Sequence, residues 1–381
     1  MKILHLCLSC SYVDGFAYQE NMLVAEHVRA GHDVHILAST ETFGSDGKLT
    51  YVAPRTYIGA DGAMVERLPY RFSSLPRFAQ KFRAYVGLNA RLREIAPDVI
   101  VFHGLCSYAL LEVAKYVRQN PQTVLYADSH EDFNNSARGP VSKWVLHYLF
   151  YRTIFQIALP MIRSVFCISK ETEVFVRSFY GCSAAKVEFL PLGGKVFSDE
   201  EYGRIRREAR SEHGWTDDAR IFVLSGKFDA AKRVFDSLEA FSALPNQNVR
   251  LVLAGIFMAD VKVRAEELVR KDPRIINLGW LDPKGLARLL IAADVYVQPG
   301  SQSATMQMAV CCRKPVIVAD VISHRALISS NGWLVTSNQS LYDALQSAAC
   351  LQQSELESMS EQSAKIGANI LDYACQAEKL T

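Results

Sequence analysis

The chain reads as an α/β protein made of two doubly wound, Rossmann-like lobes that face each other. Three observations predict this. Short apolar runs alternate with longer helix-like segments, the pattern of parallel sheets covered by helices. The alternation occurs twice, on either side of a charged, irregular stretch from Lys195 to Arg220. The 381 residues, 49% hydrophobic and 22% charged, suffice for two or three ordinary domains, which excludes a disordered chain or a small disulfide scaffold.

The elements follow in order. Ile3 to Leu8 is expected as a buried strand, followed by a loop with Ser11, Asp14 and Gly15. A helix from about Tyr18 to Arg29 stops at Gly31, and Asp33 to Ala38 forms the next strand. From about Glu41 to Tyr70 the rhythm breaks, and turn signals at Asp46-Gly47 and Asp61-Gly62 between β-formers predict inserted hairpins. It resumes with strands at Val99 to Phe102, Thr123 to Ala127 and Ser164 to Ile168, and a helix near Ser107 to Val117. The second lobe repeats the theme with strands at Ile221 to Leu224, Val249 to Ala254, Val295 to Gln298 and Val316 to Val318. Its helices are expected at Asp260 to Arg270 and Ser303 to Cys312. The domains expected are 1–195, a linker over 196–219, and 220–365, with a C-terminal helix over 366–381 packing back on the first domain.

Lys and Arg number 42 against 40 for Asp and Glu, a net charge of +2, so no whole-protein field points to nucleic acid. Nine cysteines, an odd number with Cys311 and Cys312 adjacent, show no disulfide framework and fit a reducing, cytoplasmic setting. The N-terminus turns polar by Ser9, too early for the apolar core of a signal peptide. The most apolar window, Trp144 to Ile162, carries His147, Arg152, Gln156 and Pro160 and is not read as a membrane span. A basic-aromatic stretch from Glu66 to Glu94 has Arg67, Arg71, Arg77, Lys81, Arg83, Arg91 and Arg93 among Phe72, Phe78, Phe82 and Tyr85. It reads either as an interfacial surface facing the inner membrane or as a core-facing helix with a solvated basic back.

In doubly wound sheets ligands sit beyond the carboxyl ends of the strands, and four strand ends stand out. The first carries Asp14-Gly15 and a helix start, where free N–H groups meet anions. The second carries Asp128-Ser129-His130-Glu131-Asp132, with His103 ending the neighbouring strand; titratable groups there are costly unless paired or used. The third, Gly226-Lys227 with Lys232-Arg233, combines a glycine for close approach with cations for phosphate. The fourth, Pro299 to Thr305, offers Ser301, Gln302 and Ser303, the last a candidate helix cap. The patterns GxGxxG and Walker A are absent, which argues against a dinucleotide or P-loop site. The CxxC at Cys7 to Cys10 has no second pair and is not read as a metal or thiol site.

Together and in this order, these positions resemble a retaining glycosyltransferase of family 4, over nearly the whole length. The resemblance implies the GT-B fold, with two Rossmann-like domains and an interdomain cleft. Gly31-His32-Asp33-Val34 matches the family's Gly-His-x-Val, and His130-Glu131 is similar to the strand-end histidine and acidic residue near the transferred sugar. Gly226-Lys227 with Lys232-Arg233 is similar to the element that clamps the donor diphosphate, with Lys in place of its Arg and Arg233 in place of its second Gly. Ile275 to Gly279 and Trp280 match the strand and loop beside the nucleotide base. The family usually has two glutamates before a Gly-x-Pro-Val turn. Counting back from Lys314-Pro315-Val316 places them on Gly300 and Met308, so neither is present, and Gln302 and Gln307 are left to supply neutral hydrogen bonds.

The resemblance implies transfer of a sugar from a nucleotide diphosphate sugar to a glycan or lipid-linked acceptor, with retention, in bacterial surface polysaccharide assembly. His130, Lys227 and Lys232 are the expected catalytic residues. Gly15, His103, Gly226, Arg233, Gly279, Trp280, Ser301, Gln302, Ser303 and Gln307 are the expected substrate contacts. No Asp-x-Asp pair occurs, so neither a metal nor a cofactor is expected. Two rivals share the fold: a nucleotide-sugar 2-epimerase, betrayed by isomerisation of donor alone, and a catalytically silent scaffold, against which the cations Lys227 and Lys232 argue.

Overall fold

A computed structural model describes residues 1–44, 48–300 and 303–381. It divides into two compact units, residues 1–191 with 373–381, and residues 192–372.

The strands of the first unit are β1 (Lys2–Cys7), β2 (Asp33–Ser39), β3 (Glu41–Phe43), β4 (Leu49–Tyr51), β5 (Thr56–Ile58), β6 (Met64–Leu68), β7 (Val99–Phe102), β8 (Val124–Ser129), β9 (Ile162–Cys167) and β10 (Val187–Phe189). Its helices are α1 (Gln19–Arg29), α2 (Pro76–Phe82), α3 (Leu88–Ile95), α4 (Ala109–Gln119), α5 (Arg152–Ala158) and α6 (Lys170–Ser178), with a π-helical stretch over Val141–Tyr151. Eight strands form one sheet in the order β10-β9-β8-β7-β1-β2-β6-β5, parallel except for β5 against β6. The expected insertion is two hairpins, β3-β4 and β5-β6, and β6 joins the main sheet beside β2. Of the expected turns, Asp46-Gly47 lies outside the described residues.

Strand alternation sorts the core into two faces. On one, Leu4, Leu6, Ile100, Phe102 and Leu125 pack in the larger cluster; on the other, Ile3, Val101 and Tyr126 pack with Leu23 of α1. The sequence continues this second face through His5, His103 and Asp128. The stretch from Glu66 to Glu94 is neither one helix nor one basic surface. Arg67 is buried on the carbonyls of Ser39 and Glu41, Arg71 pairs with Glu112 and Arg91 with Glu66, and Tyr85 is buried with its hydroxyl on Leu8. Carboxylates thus pair two of these cations and backbone carbonyls a third, which breaks up what the local composition presented as one basic face.

The second unit contains α7 (Asp199–Glu212), β11 (Arg220–Phe228), α8 (Val234–Ser242), β12 (Val249–Phe257), α9 (Lys262–Lys271), β13 (Ile275–Gly279), α10 (Pro283–Ala292), β14 (Val295–Gln298), α11 (Ala304–Cys311), β15 (Val316–Ala319), α12 (Ile322–Arg325), β16 (Gly332–Val335), α13 (Asn338–Cys350) and α14 (Gln353–Ile366). Its sheet is wholly parallel, in the order β13-β12-β11-β14-β15-β16.

The expected linker at 196–219 is corrected. Ser198 caps α7 through its side chain, and Arg206 and Arg210 reach the carbonyls of residues 291–293 that end α10, together with buried Asp294. Asp294 also accepts from the Ile221 N–H at 2.7 Å. The charges that made the segment look irregular cap a helix C-terminus and pair a buried carboxylate. The C-terminal segment divides. Residues 367–372 stay with the second unit, while α15 (Tyr373–Glu378) packs on α1 in the first.

Candidate functional site

Each sheet reverses its strand order once beside its first strand, between β1 and β7 in one unit and between β11 and β14 in the other. Ligands favour such switch points because the loops leaving the two strands diverge and open a crevice.

At the first switch point the loops after β1, β7 and β8 line a cleft of about 500 Å³, whose walls include Ser9, Arg83, Cys106, His130 and Glu131. His130 is 40% exposed there, with Nε2 3.6 Å from Asp128 Oδ1. Its backbone is fixed: Asn135 donates to its carbonyl at 2.7 Å, and its N–H donates to Glu131 at 3.2 Å. Asp128 is buried, accepting from His103 Nδ1 at 2.5 Å and from Gly104 N–H at 2.8 Å. Burial alone would raise the Asp128 carboxyl, but His103 and these hydrogen bonds hold it below the usual carboxylate range. Behind it, His103 Nε2 lies 2.9 Å from His5 Nδ1, and His5 Nε2 lies 2.9 Å from His27 Nδ1 on α1. A file of imidazoles thus runs beneath the sheet to the cleft.

At the second switch point β11 runs four residues past the expected strand, through Gly226 and Lys227 to Phe228. Gly226 takes φ +122. Its neighbour across the sheet is Gly255, where a Cβ would stand 1.8 Å from the Gly226 carbonyl oxygen, so two paired glycines make this bend. The following turn, Ala230–Lys232, is capped by Asp229, whose side chain accepts from the Lys232 N–H at 3.0 Å. Gly300, leaving β14, packs its backbone on this turn: a Cβ there would meet Ala231 O at 2.3 Å. Lys227 is exposed and Lys232 half-buried, and burial lowers the Lys232 ammonium. Ser303 caps α11 as expected, accepting from Thr305 N–H.

Two family patterns match this chain, Glycosyltransferase Family 4 over residues 21–193 and Glycosyl transferases group 1 over residues 219–350. The chain is a family 4 glycosyltransferase. Solved structures agree in fold: sucrose-phosphate synthase from Thermosynechococcus elongatus (17% identity, 100% of this chain and 98% of that one, TM-score 0.66), Anabaena HepE in complex with UDP (17%, 100% and 99%, 0.64) and WaaG, a glycosyltransferase involved in lipopolysaccharide biosynthesis (14%, 100% and 100%, 0.63). These are GT-B proteins, and the two parallel-sheet units here have that fold. Comparison with curated proteins finds no match.

Within this glycosyltransferase the expected site residues fall into three groups. Gly15 (φ +75), Gly226, Lys227, Lys232, Gly279 (φ +71) and Trp280, which is 59% exposed, lie at or just beyond strand ends as expected. Ser301 and Gln302 lie outside the described residues. Three others are committed to the protein itself and are corrected. His103 is 2% exposed with both ring nitrogens engaged, so it supports Asp128 instead of touching a ligand. The Arg233 guanidinium is spent on Asp236 at 2.7 Å, the Pro299 carbonyl at 3.3 Å and the Asn338 side chain, while its backbone takes the left-handed φ of +53 that suits the family's glycine. Gln307 turns its amide back on its own helix, one amide position lying 2.8 Å from Ser303 O and 3.3 Å from Ala304 O, where its NH2 group fits. His5, His27 and Gly255 did not stand out in the sequence, and Arg83 stood out only as one cation of the basic-aromatic stretch. A histidine inside the apolar run Ile3 to Leu8 was the one available signal.

Proposed function

We propose that the enzyme transfers a sugar, with retention, from a nucleotide diphosphate sugar to a glycan or lipid-linked acceptor in bacterial surface polysaccharide assembly, without metal or cofactor. The observation that carries the donor reading is the second switch point: paired glycines and Gly300 hold the Lys227–Lys232 turn, which places two lysines at a strand end. Breaking the bond to the anomeric carbon passes through an oxocarbenium-like state and loads negative charge on the departing diphosphate. Lys227 and Lys232 stabilise that charge, and His130, steadied by Asp128, orients sugar hydroxyls. UDP in HepE supports a nucleotide-sugar donor, and WaaG's part in lipopolysaccharide biosynthesis supports the surface-glycan setting.

The reading also places the enzyme at the cytoplasmic face of the inner membrane. Val141, Trp144, Val145 and Leu149 are all more than half exposed, and Lys143 lies 5.3 Å from the Trp144 ring centre. No helix among the described residues is long and apolar enough to cross a membrane.

The deciding experiment is thermal stabilisation against UDP, GDP, ADP, CDP and dTDP, since a ligand that binds only folded protein raises Tm. One of them is expected to raise Tm in the wild type and not in Lys232→Ala. No shift with any of the five, in folded protein, would overturn the donor reading.

A further inference from the structure

Arg83 differs from the arginines around it. Its neighbours Arg71 and Arg91 each face a carboxylate, and buried Arg67 is covered by carbonyls. Arg83 has no carboxylate within 4 Å among the described residues. Only Nη1 makes hydrogen bonds there, to Ser9 Oγ at 3.2 Å and Cys106 O at 3.0 Å, where the side chain lines the same cleft as His130.

The backbone is set for this placement. Arg83 ends α2 in the left-handed conformation, φ +53, which a side chain disfavours. Its carbonyl is held by the Ser107 hydroxyl at 2.9 Å and the Ala109 N–H at 3.1 Å. The hold keeps the guanidinium at the cleft wall.

The cleft carries further charge. Lys81 and Arg138 also line it, against the single carboxylate of Glu131, one of whose oxygens is taken by Ser129 Oγ at 2.6 Å. Two positive charges are left in excess, and Ser136 and Ser142 also line the cleft. A phosphate monoester carries about −1.5 to −2 at pH 7 and presents acceptor oxygens in the geometry of a guanidinium fork.

We propose that in this cleft Arg83, with Lys81 and Arg138, holds a phosphate group carried by the acceptor. The proposal rests on the glycosyltransferase reading for the word acceptor; its test is made without any nucleotide, so that failure of the donor reading leaves it standing and its own failure leaves the donor reading standing.

The full chain is titrated calorimetrically with glucose 6-phosphate, inorganic phosphate and glucose, and its binding to phosphatidylcholine vesicles is compared with and without phosphatidic acid. At least one phosphate-bearing probe is expected to bind at least tenfold more tightly than its phosphate-free counterpart. Soluble probes report a free sugar phosphate, and binding only to phosphatidic acid vesicles reports a lipid-borne one. Arg83→Asn, which tolerates the left-handed backbone, is expected to lose at least tenfold in affinity. Lys81→Ala, an exposed residue in no ion pair among the described residues, should lose several-fold with unchanged Tm and keeps the test decisive if the Arg83 variant does not fold. Equal binding of phosphate-bearing and phosphate-free probes, no binding of any, or undiminished binding to Lys81→Ala overturns the proposal.

Discussion

His27 Nε2 lies 3.0 Å from the carbonyl oxygen of Ala377 in the C-terminal helix, and this contact fixes the direction of every hydrogen bond from there to Asp128. A carbonyl only accepts, so His27 carries its proton on Nε2. Burial lowers His27 to about 4, so at neutral pH its bare Nδ1 accepts from His5 Nε2. His5 is lowered well below the usual range, by burial and then by its neighbouring imidazoles, and its Nδ1 therefore accepts from His103 Nε2. That leaves His103 Nδ1 facing the Asp128 carboxylate. Burial pulls His103 down, but Asp128 outweighs it and raises the ring to about 9, so both its nitrogens are protonated. Nitrogen-15 NMR of labelled histidine at pH 7 should find His5 and His27 as Nε2–H tautomers and His103 as an imidazolium. A neutral His103 would break the chain of inference at its last link.

The same groups set the pH dependence of folding. His103 titrates higher in the folded chain than the ordinary 6.5, so its contribution is complete below 6.5 and is lost as pH rises through about 9. His27 and His5 titrate lower, so theirs are complete above 6.5 and fall away on acidification, through about 4 for His27. Stability should therefore peak near pH 6.5, with His27 accounting for about 3 kcal/mol of the acid limb. Denaturant melts of His27→Phe should show a shallower acid limb than the wild type; parallel limbs between pH 4 and 6.5 would exclude the assignment.

Gly255 and Gly300 should tolerate no side chain. In Gly255→Ala the new Cβ meets backbone at 1.8 Å, and in Gly300→Ala at 2.3 Å. Each is expected to cost about 3 kcal/mol and to weaken nucleotide diphosphate binding, because the strain falls on the turn that carries Lys232. Gly203→Ala in α7 meets only the end of the Arg207 side chain, at 3.3 Å, and should gain about 0.5–1 kcal/mol from helix propensity. Chemical melts of the three variants give the comparison directly.

Adjacent cations should separate by phenotype. Lys232→Ala is expected to lower kcat by about 10²-fold with little change in Tm, since its charge is needed when the diphosphate leaves. Arg233→Ala should instead lower Tm, because it abandons Asp236, Pro299 and Asn338 while the backbone stays left-handed. Arg233→Gly should recover part of that loss. Equal Tm changes at the two positions would contradict the division.

The exposed apolar side chains at 141–149 predict adsorption to bilayers. Trp144→Ser with Leu149→Ser is expected to reduce flotation with anionic liposomes several-fold while leaving Tm unchanged. Unaltered flotation would remove this segment from the membrane reading.

Many strands and helices were legible along the chain, although β11 and β12 run past their expected ends and α7 read as a linker. Apolar periodicity and stop signals act locally, so Ile3 to Leu8, Val295 to Gln298 and the helix stopping at Gly31 were legible, as were the strand-end positions of His130 and Lys227. What no local pattern carries is which side chains meet across a sheet, since strand order and register bring together residues far apart in the chain. Tertiary structure alone decided that His5 would lie against His103, that Gly255 would stand beside Gly226, and that Arg206 and Arg210 would turn an apparent linker into a helix on Asp294. It also decided the fate of each cation. A charge reads the same in sequence whether a partner neutralises it, as with Arg233, or whether it lines a cleft with no carboxylate within 4 Å of it among the described residues, as with Arg83. The difference is the desolvation and pairing that only three-dimensional neighbours supply.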